Sequence, residues 1–318
     1  MAILEEIRKI ADDIRMMRIR GATPIAKAAV EGLKIAAQKI PAKTAQEFYE
    51  KFREIGKFLQ ATRPSAVSLP NGIRYVLYRV KKAIEEGLPL DQVKSIAINV
   101  SNEFIEKTNT AKEKIGEIGA KLINDGDTIL THCNSSVALS IIKIAHRQGK
   151  EIRVYATETR PRYQGHLTIK ELNENGIHTT LIVDSAAGFF MKEVDKVIVG
   201  ADTILVDGTL IYKIGLFLIA LAAKKYNVPL YVGAETYKFC PESVTGEIIK
   251  IEEREPTEII DPEKIRGLKY ITVRNPAFDY IPPEYIKYII TEKGIIPPHA
   301  TIMVLREEYG WPISIPQI

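Results

Sequence analysis

The 318-residue chain has two cysteines, Cys133 and Cys240, and a single tryptophan. Two thiols cannot build a disulfide framework or a four-cysteine zinc site, so reduced thiols and an ordinary hydrophobic core are expected. An excess of one charge is also missing. Lys and Arg number 44 against 40 Asp and Glu, a net +4, and the signs interleave, as in Lys250-Ile251-Glu252-Glu253-Arg254. Such interleaving describes a solvated surface and argues against a nucleic-acid partner. The longest strongly apolar run, Ile214 to Ala223, is about half of the roughly 20 residues a spanning helix needs, so no membrane partner is expected. The N-terminus, Met1-Ala2-Ile3-Leu4-Glu5-Glu6-Ile7-Arg8, lacks the apolar stretch and cleavage site of a secretory signal, which makes the cytoplasm the expected location. The G-x-G-x-x-G, G-x-x-x-x-G-K, H-E-x-x-H and G-x-S-x-G signatures are absent. His132, His146, His166, His178 and His299 show no ligand spacing, so no metal site is expected.

The composition that is present, 46% hydrophobic and 26% charged, is that of a folded globular chain long enough for roughly two domains. Up to about Gly119 the pattern is helical. Ile3, Ile7, Ile10 and Ile14 form an amphipathic stripe. Thr23-Pro24 reads as the cap and first turn of a second helix, and Thr44-Ala45-Gln46-Glu47 as a capping box opening a third. From Asp127 onward short β-branched runs alternate with helix-like stretches: Thr128 to His132, Ile152 to Thr157, Thr179 to Val183, Val197 to Gly200, Pro229 to Gly233 and Tyr270 to Val273. The expectation is an α/β protein, with an N-terminal helical domain (1–119) followed by a Rossmann-like domain (120–318) built on a mostly parallel sheet.

In such a sheet ligands bind beyond the carboxyl ends of the strands. Cys133 follows a strand and precedes a helix, where the helix dipole favours a thiolate nucleophile or base; the competing reading is a small buried apolar residue. Asp202 ends the strand Val197-Ile198-Val199-Gly200, and apolar neighbours there would raise a carboxyl pKa for general-acid work, although spacing alone favours a helix or turn cap. Arg20-Gly21-Ala22-Thr23 combines a cation with a helix N-terminus and suits a phosphate, but also reads as a plain interhelical turn. Arg63, Arg160, Lys213 and Lys238 lie near element ends, and each alone reads as a surface charge. His132 faces away from Cys133 by the period of two, against a simple Cys-His dyad.

Taken together, THCNSS (Thr131 to Ser136), ETRPRYQG (Glu158 to Gly165), VGAD (Val199 to Asp202), YKIG (Tyr212 to Gly215), AETYKF (Ala234 to Phe239) and NPAFDYIPPEYI (Asn275 to Ile286) resemble the superfamily that holds two sugar-phosphate isomerases and the regulatory subunits of initiation factor 2B. RGAT and TRPSAV extend the resemblance into the helical part. The chain looks most like the archaeal ribose-1,5-bisphosphate isomerases. The 5-methylthioribose-1-phosphate isomerases come next, from which CNSSVAL and YKIG depart where those enzymes have CNTGAL and NKIG.

The resemblance implies an aldose–ketose isomerase that makes ribulose 1,5-bisphosphate from ribose 1,5-bisphosphate in nucleotide salvage, with Cys133 and Asp202 catalytic and no cofactor. It implies binding roles for Arg20, Gly21, Ala22, Thr23, Arg63, Ser135, Ser136, Val137, Tyr212, Lys213 and Lys238. It also implies a homo-oligomer, a dimer or trimer of dimers, and activation by adenosine monophosphate (AMP). The alternatives are the methylthioribose enzyme and a non-catalytic sugar-phosphate or nucleotide sensor like the exchange-factor subunits; the cysteine in THCNSS favours an enzyme.

Overall fold

The computed structural model describes residues 4–19, 21–63, 67–245 and 249–309. They form two compact units, one of Met1–Ala111, Tyr237–Gly246 and Ile302–Ile318, the other of Lys112–Thr236 and Glu247–Thr301. The sequence suggests a single cut, at 119/120; the compact units interleave along the chain.

The first unit is helical. Helix α1 (Glu5–Arg15) buries Ile7, Ala11 and Ile14, the stripe read from the sequence. Helix α2 (Ala22–Lys39) starts one residue before Thr23, with Gly21 in the cap position. Thr23 is therefore not the cap, and its hydroxyl bonds the Tyr237 hydroxyl at 2.8 Å. Helix α3 (Ala45–Gln60) opens with half of the expected capping box: Thr44 Oγ1 accepts from the Glu47 N–H at 3.1 Å, but the Glu47 carboxylate returns to the Lys43 N–H at 2.8 Å, one residue ahead of the cap. With α4 (Ser68–Glu85) and the first part of α5 (Leu90–Ala120) these helices enclose Val30, Leu33, Phe48, Phe52, Leu59, Ile73 and Phe104. The Tyr237 ring joins this core 5.7 Å from Phe104.

The second unit is a seven-stranded sheet. In chain order its elements are β1 (Thr128–Thr131), α6 (Ser136–Arg147), β2 (Arg153–Thr157), α7 (Gln164–Glu174), β3 (His178–Ile182), α8 (Ala187–Phe190) and β4 (Lys196–Val199). There follow β5 (Thr203–Ile204), β6 (Leu210–Lys213), α9 (Leu216–Lys225), β7 (Leu230–Gly233), β8 (Phe278–Ile281), β9 (Tyr288–Thr291) and β10 (Gly294–Ile296); the last helix, α10 (Thr301–Tyr309), belongs from Ile302 onward to the first unit. The strand order is β10-β9-β7-β4-β1-β2-β3, parallel except for the β9–β10 edge hairpin. The α/β expectation holds. Among the described residues no helix is long and apolar enough to cross a membrane.

The strand assignments change toward the C-terminal end of the chain. The run Tyr270 to Val273 is not a strand; it is largely exposed, with Tyr270 97% accessible, and among the described residues no strand pairs with it. The run pattern also misses β9 and β10 at the edge of the main sheet, and β5, β6 and β8, which form a separate three-stranded antiparallel sheet in the order β5-β6-β8.

Candidate active site

The sheet order places β1 between β2 and β4, so the connections leaving β1 and β4 diverge, and in an open parallel sheet the ligand crevice lies at the carboxyl ends of two such strands. Cys133 lies two residues beyond β1 and Asp202 three beyond β4, on the two lips of that crevice. Asp202 then runs into the small sheet, its N–H donating to Ile211 O at 3.1 Å, so the strand carrying Tyr212 and Lys213 is held beside it. Gly200 has to be glycine here: a Cβ would lie 2.0 Å from Ser135 Oγ. Gly215 closes the YKIG turn at φ +102°, in the left-handed region, and its N–H and that of Phe217 donate to Asp279 at 2.8 and 3.0 Å.

Cys133 itself has φ +67°, and Thr159 has φ +59°, an uncommon backbone for a β-branched residue that costs about 1–3 kcal/mol. Threonine hydroxyls hold both sides of the cysteine backbone. The Cys133 N–H donates to Thr159 Oγ1 at 2.9 Å, and Thr168 Oγ1 donates to the Cys133 carbonyl at 2.8 Å. Asp184 fixes the Thr159 turn in place by accepting from the N–H groups of Thr159 (2.8 Å) and Arg160 (2.7 Å). The His132 ring is engaged by other partners, and strand alternation does not reach the thiol, since β1 ends at Thr131 and Cys133 is left-handed. His132 Nε2 lies 2.9 Å from Ile214 O and must carry the proton, which leaves Nδ1 to accept from Thr157 Oγ1 at 2.6 Å. Burial holds this imidazole below the usual histidine range and neutral.

The electrostatics correct one expectation. Position ahead of a helix predicts a lowered thiol pKa, yet burial pushes Cys133 up to about 11; the Lys213 ammonium opposes this, and the Asp202 charge adds to it. The Asn134 N–H and the Tyr212 hydroxyl also act on the sulfur in the lowering direction and do not outweigh desolvation. Cys133 keeps partial exposure. Tyr212 is fully enclosed, its phenol raised well above normal by burial and then by Cys133 and Asp202; its hydroxyl donates to His132 O at 3.2 Å. Lys213 is 8% exposed and sits 4.7 Å from the Phe278 ring centroid. Cys133, Asp202, Tyr212 and Lys213 thus form one electrostatic cluster.

Ser135 caps α6, its hydroxyl accepting from the Ala138 N–H at 3.3 Å and meeting the Tyr212 hydroxyl. Ser136 is exposed, and Val137 is buried as the second residue of α6, where backbone N–H groups have no partner within the helix. The remaining candidates belong to the helical unit. Gly21 and Ala22 start α2, Arg63 follows α3, and Thr23 is linked through Tyr237 to the neighbouring Lys238, which is buried. Asn71 grips that segment, donating to Tyr237 O (2.9 Å) and Phe239 O (2.7 Å) on either side of Lys238. Arg20 lies outside the described residues. Sequence reasoning missed Thr157, Thr159, Thr168, Asp279 and the use of Asp184. The available signal was the spacing Thr157-Glu158-Thr159 with Asp184, both at strand ends.

Fold and site define a Rossmann-like α/β protein with a thiol and a carboxyl brought together at the fork of a parallel sheet. The chain belongs to the Initiation factor 2 subunit family, whose model matches residues 18–298. It is 50% identical over 315 residues to a ribose 1,5-bisphosphate isomerase of Thermococcus kodakarensis, covering 99% of this chain and 98% of that one. It is 42% identical to a methylthioribose-1-phosphate isomerase of Acetivibrio thermocellus, covering 93% and 89%. The solved structure of translation initiation factor eIF-2B of Pyrococcus horikoshii OT3 superposes with TM-score 0.76 at 32% identity, covering 94% and 99%. The chain is accordingly an isomerase.

Proposed function

We propose that the protein interconverts ribose 1,5-bisphosphate and ribulose 1,5-bisphosphate by acid–base catalysis at Cys133 and Asp202. The observation that carries this reading is the mutual electrostatic influence of the two groups at the β1/β4 fork, with Lys213 and Tyr212 acting on the same sulfur. Similarity to the Thermococcus enzyme supports the choice of sugar. So do the N–H groups at the start of α6, which suit a phosphate, and the buried cation Lys213.

The substrate's anomeric carbon carries phosphate, so its ring cannot open to a free aldehyde without help. The resting thiol holds its proton. Passing that proton to Asp202 removes the very carboxylate charge that raises the thiol, and leaves the thiolate facing Lys213, the Asn134 N–H and the Tyr212 hydroxyl. Protonated Asp202 then donates to the ring oxygen as the C1–O bond breaks, while the thiolate takes the C2 proton, giving an enol phosphate. The thiol returns its proton to C1, and the C2 hydroxyl returns one to Asp202, which yields the ketose bisphosphate and restores the pair. The binding set proposed from the resemblance is Ser135, Ser136, Val137, Tyr212 and Lys213 in this unit, with Arg20, Gly21, Ala22, Thr23, Arg63 and Lys238 in the helical unit. A homo-oligomeric state, activation by AMP and a role in nucleotide salvage belong to the same proposal.

The deciding experiment is turnover of ribose 1,5-bisphosphate against 5-methylthioribose 1-phosphate in deuterated water. Bisphosphate preference with deuterium entering C1 is the expected result. Preference for the methylthio sugar would reassign the substrate, and complete retention of the C2 hydrogen at C1 in the parent and in a slowed Cys133→Ser variant alike, where solvent exchange has time to occur, would replace proton transfer by hydride transfer. A ligand sensor would turn over neither, and Cys133→Ser would leave its ligand affinity and biological activity intact.

A further inference from the structure

We propose that Thr159 and Thr168 are positioning residues, a hydroxyl clamp that holds Cys133 in its left-handed backbone and thereby aims the thiol into the crevice. The proposal rests on the reading of Cys133 as the reactive group. Cysteine rarely adopts φ +67°, so something must impose it. The two flanking peptide groups are the means: Thr159 Oγ1 takes the N–H and Thr168 Oγ1 gives to the carbonyl.

Each hydroxyl is itself fixed. Thr159 is fully buried, and its own turn, at φ +59°, is pinned where Asp184 accepts from the N–H groups at 159 and 160. The neighbouring hydroxyls have set directions. Because His132 Nε2 donates to Ile214 O, Thr157 must donate to Nδ1, so the Thr159 proton turns to Thr157, whose carbonyl and hydroxyl oxygens both lie at 3.3 Å. Thr159 Oγ1 therefore keeps its lone pair for the Cys133 N–H. Thr168, also fully buried, donates to Cys133 O and accepts from Asn134 Nδ2 at 3.1 Å, so it binds the next residue as well. The clamp draws on the ends of β2 and β3 and on α7, which makes the thiol's position depend on the strands beside β1.

Valine replaces each threonine in shape and removes only the hydroxyl. In the full-length protein, Thr159→Val and Thr168→Val are expected to lower kcat by about 10- to 100-fold with KM near its normal value, as a misplaced reacting group does. Thr159→Ser and Thr168→Ser, which keep the hydroxyl, are expected to restore it. The pH midpoint of Cys133 alkylation by iodoacetamide, read by peptide mass spectrometry, moves in the valine variants and returns in the serine variants. Valine variants with unchanged kcat and unchanged alkylation midpoint would overturn the clamp. Serine variants that fall as far as valine would overturn it too, because packing alone would then explain the loss. Should Thr159→Val fail to fold, the Thr168 pair carries the same test from the carbonyl side. The alkylation readout needs no turnover, so it separates failure of the clamp from failure of the catalytic reading, which Cys133→Ala tests by activity.

Discussion

Lys213 places its ammonium 4.7 Å from the centroid of the Phe278 ring, its register partner across the β6–β8 ladder, and its charge acts on the Cys133 thiol. The ring offers a buried cation an electrostatic partner that leaves its full charge available to the sulfur. Lys213→Met removes the largest influence that lowers the thiol, so the pH midpoint of Cys133 alkylation is expected to rise above its value near 11. Phe278→Leu is expected to weaken the hold on the ammonium by about 0.5–2 kcal/mol. Alkylation profiles of both variants check the direction; a downward shift in Lys213→Met would reverse the assignment.

Both thiols prefer their protons in the fold, Cys133 to about 11 and Cys240 to about 12, burial being the main cause in each. Stability from a raised pKa is fully present below the unfolded value, about 8.5 for cysteine, and is lost as pH rises through the folded one. The unfolding midpoint is therefore expected to decline between about pH 8.5 and the folded values, and Cys240→Ser to flatten part of that decline. Calorimetry across the alkaline range measures it.

His132 has the opposite sign, since burial lowers its pKa and keeps the neutral ring in the fold. Its contribution is present above the unfolded value of about 6.5 and is lost as pH falls through the lower folded value. His132→Phe leaves Thr157 Oγ1 and Ile214 O without their partner and is expected to cost about 1–3 kcal/mol for each stranded group at neutral pH. The same variant should lose less stability than the parent on acidification, which urea titrations at two pH values would establish.

Asn71 is fully buried and grips the backbone on both sides of Lys238. Asn71→Leu strands two carbonyls and is expected to destabilise the helical unit by about 1–3 kcal/mol per carbonyl. Asn71→Asp, which sets a carboxyl oxygen against them, should be the worse of the two despite its closer shape. Denaturant midpoints rank the pair.

Gly200 and Ser135 compete for one space. Gly200→Ala drives a methyl to 2.0 Å from Ser135 Oγ and 2.7 Å from its Cβ, an overpacking expected to cost about 1–3 kcal/mol or more. Adding Ser135→Gly should recover part of that loss, giving a non-zero coupling in a double-mutant cycle.

The first three helices and five of the parallel strands are legible because local periodicity decides them: the Ile7–Ile14 stripe, the Thr44 cap and the runs Thr128 to His132 and Val197 to Gly200 all match observed elements, whereas the parallel strand β9 is missed. The small sheet is not legible. β5 has only two residues, and β8 pairs with β6 across more than 60 residues of chain, a relation no local pattern encodes. The thiol's raised pKa escapes the sequence for a related reason, since Cys133 is shown adjacent to a helix start but not how deeply it is desolvated. Threonine pairs such as Thr157 and Thr159 look like ordinary strand residues until their hydroxyls are seen on Cys133 and His132.

The separate β5-β6-β8 ribbon gives Cys133 and Asp202 different foundations. The sulfur is seated on the broad sheet, whereas Asp202 is the leading residue of the ribbon that also bears Tyr212 and Lys213. A slight slide of the ribbon, of the kind a substitution in β8 would produce, retunes acid, phenol and cation together against a stationary sulfur. The electrostatic setting of the thiol can therefore drift through residues remote from it.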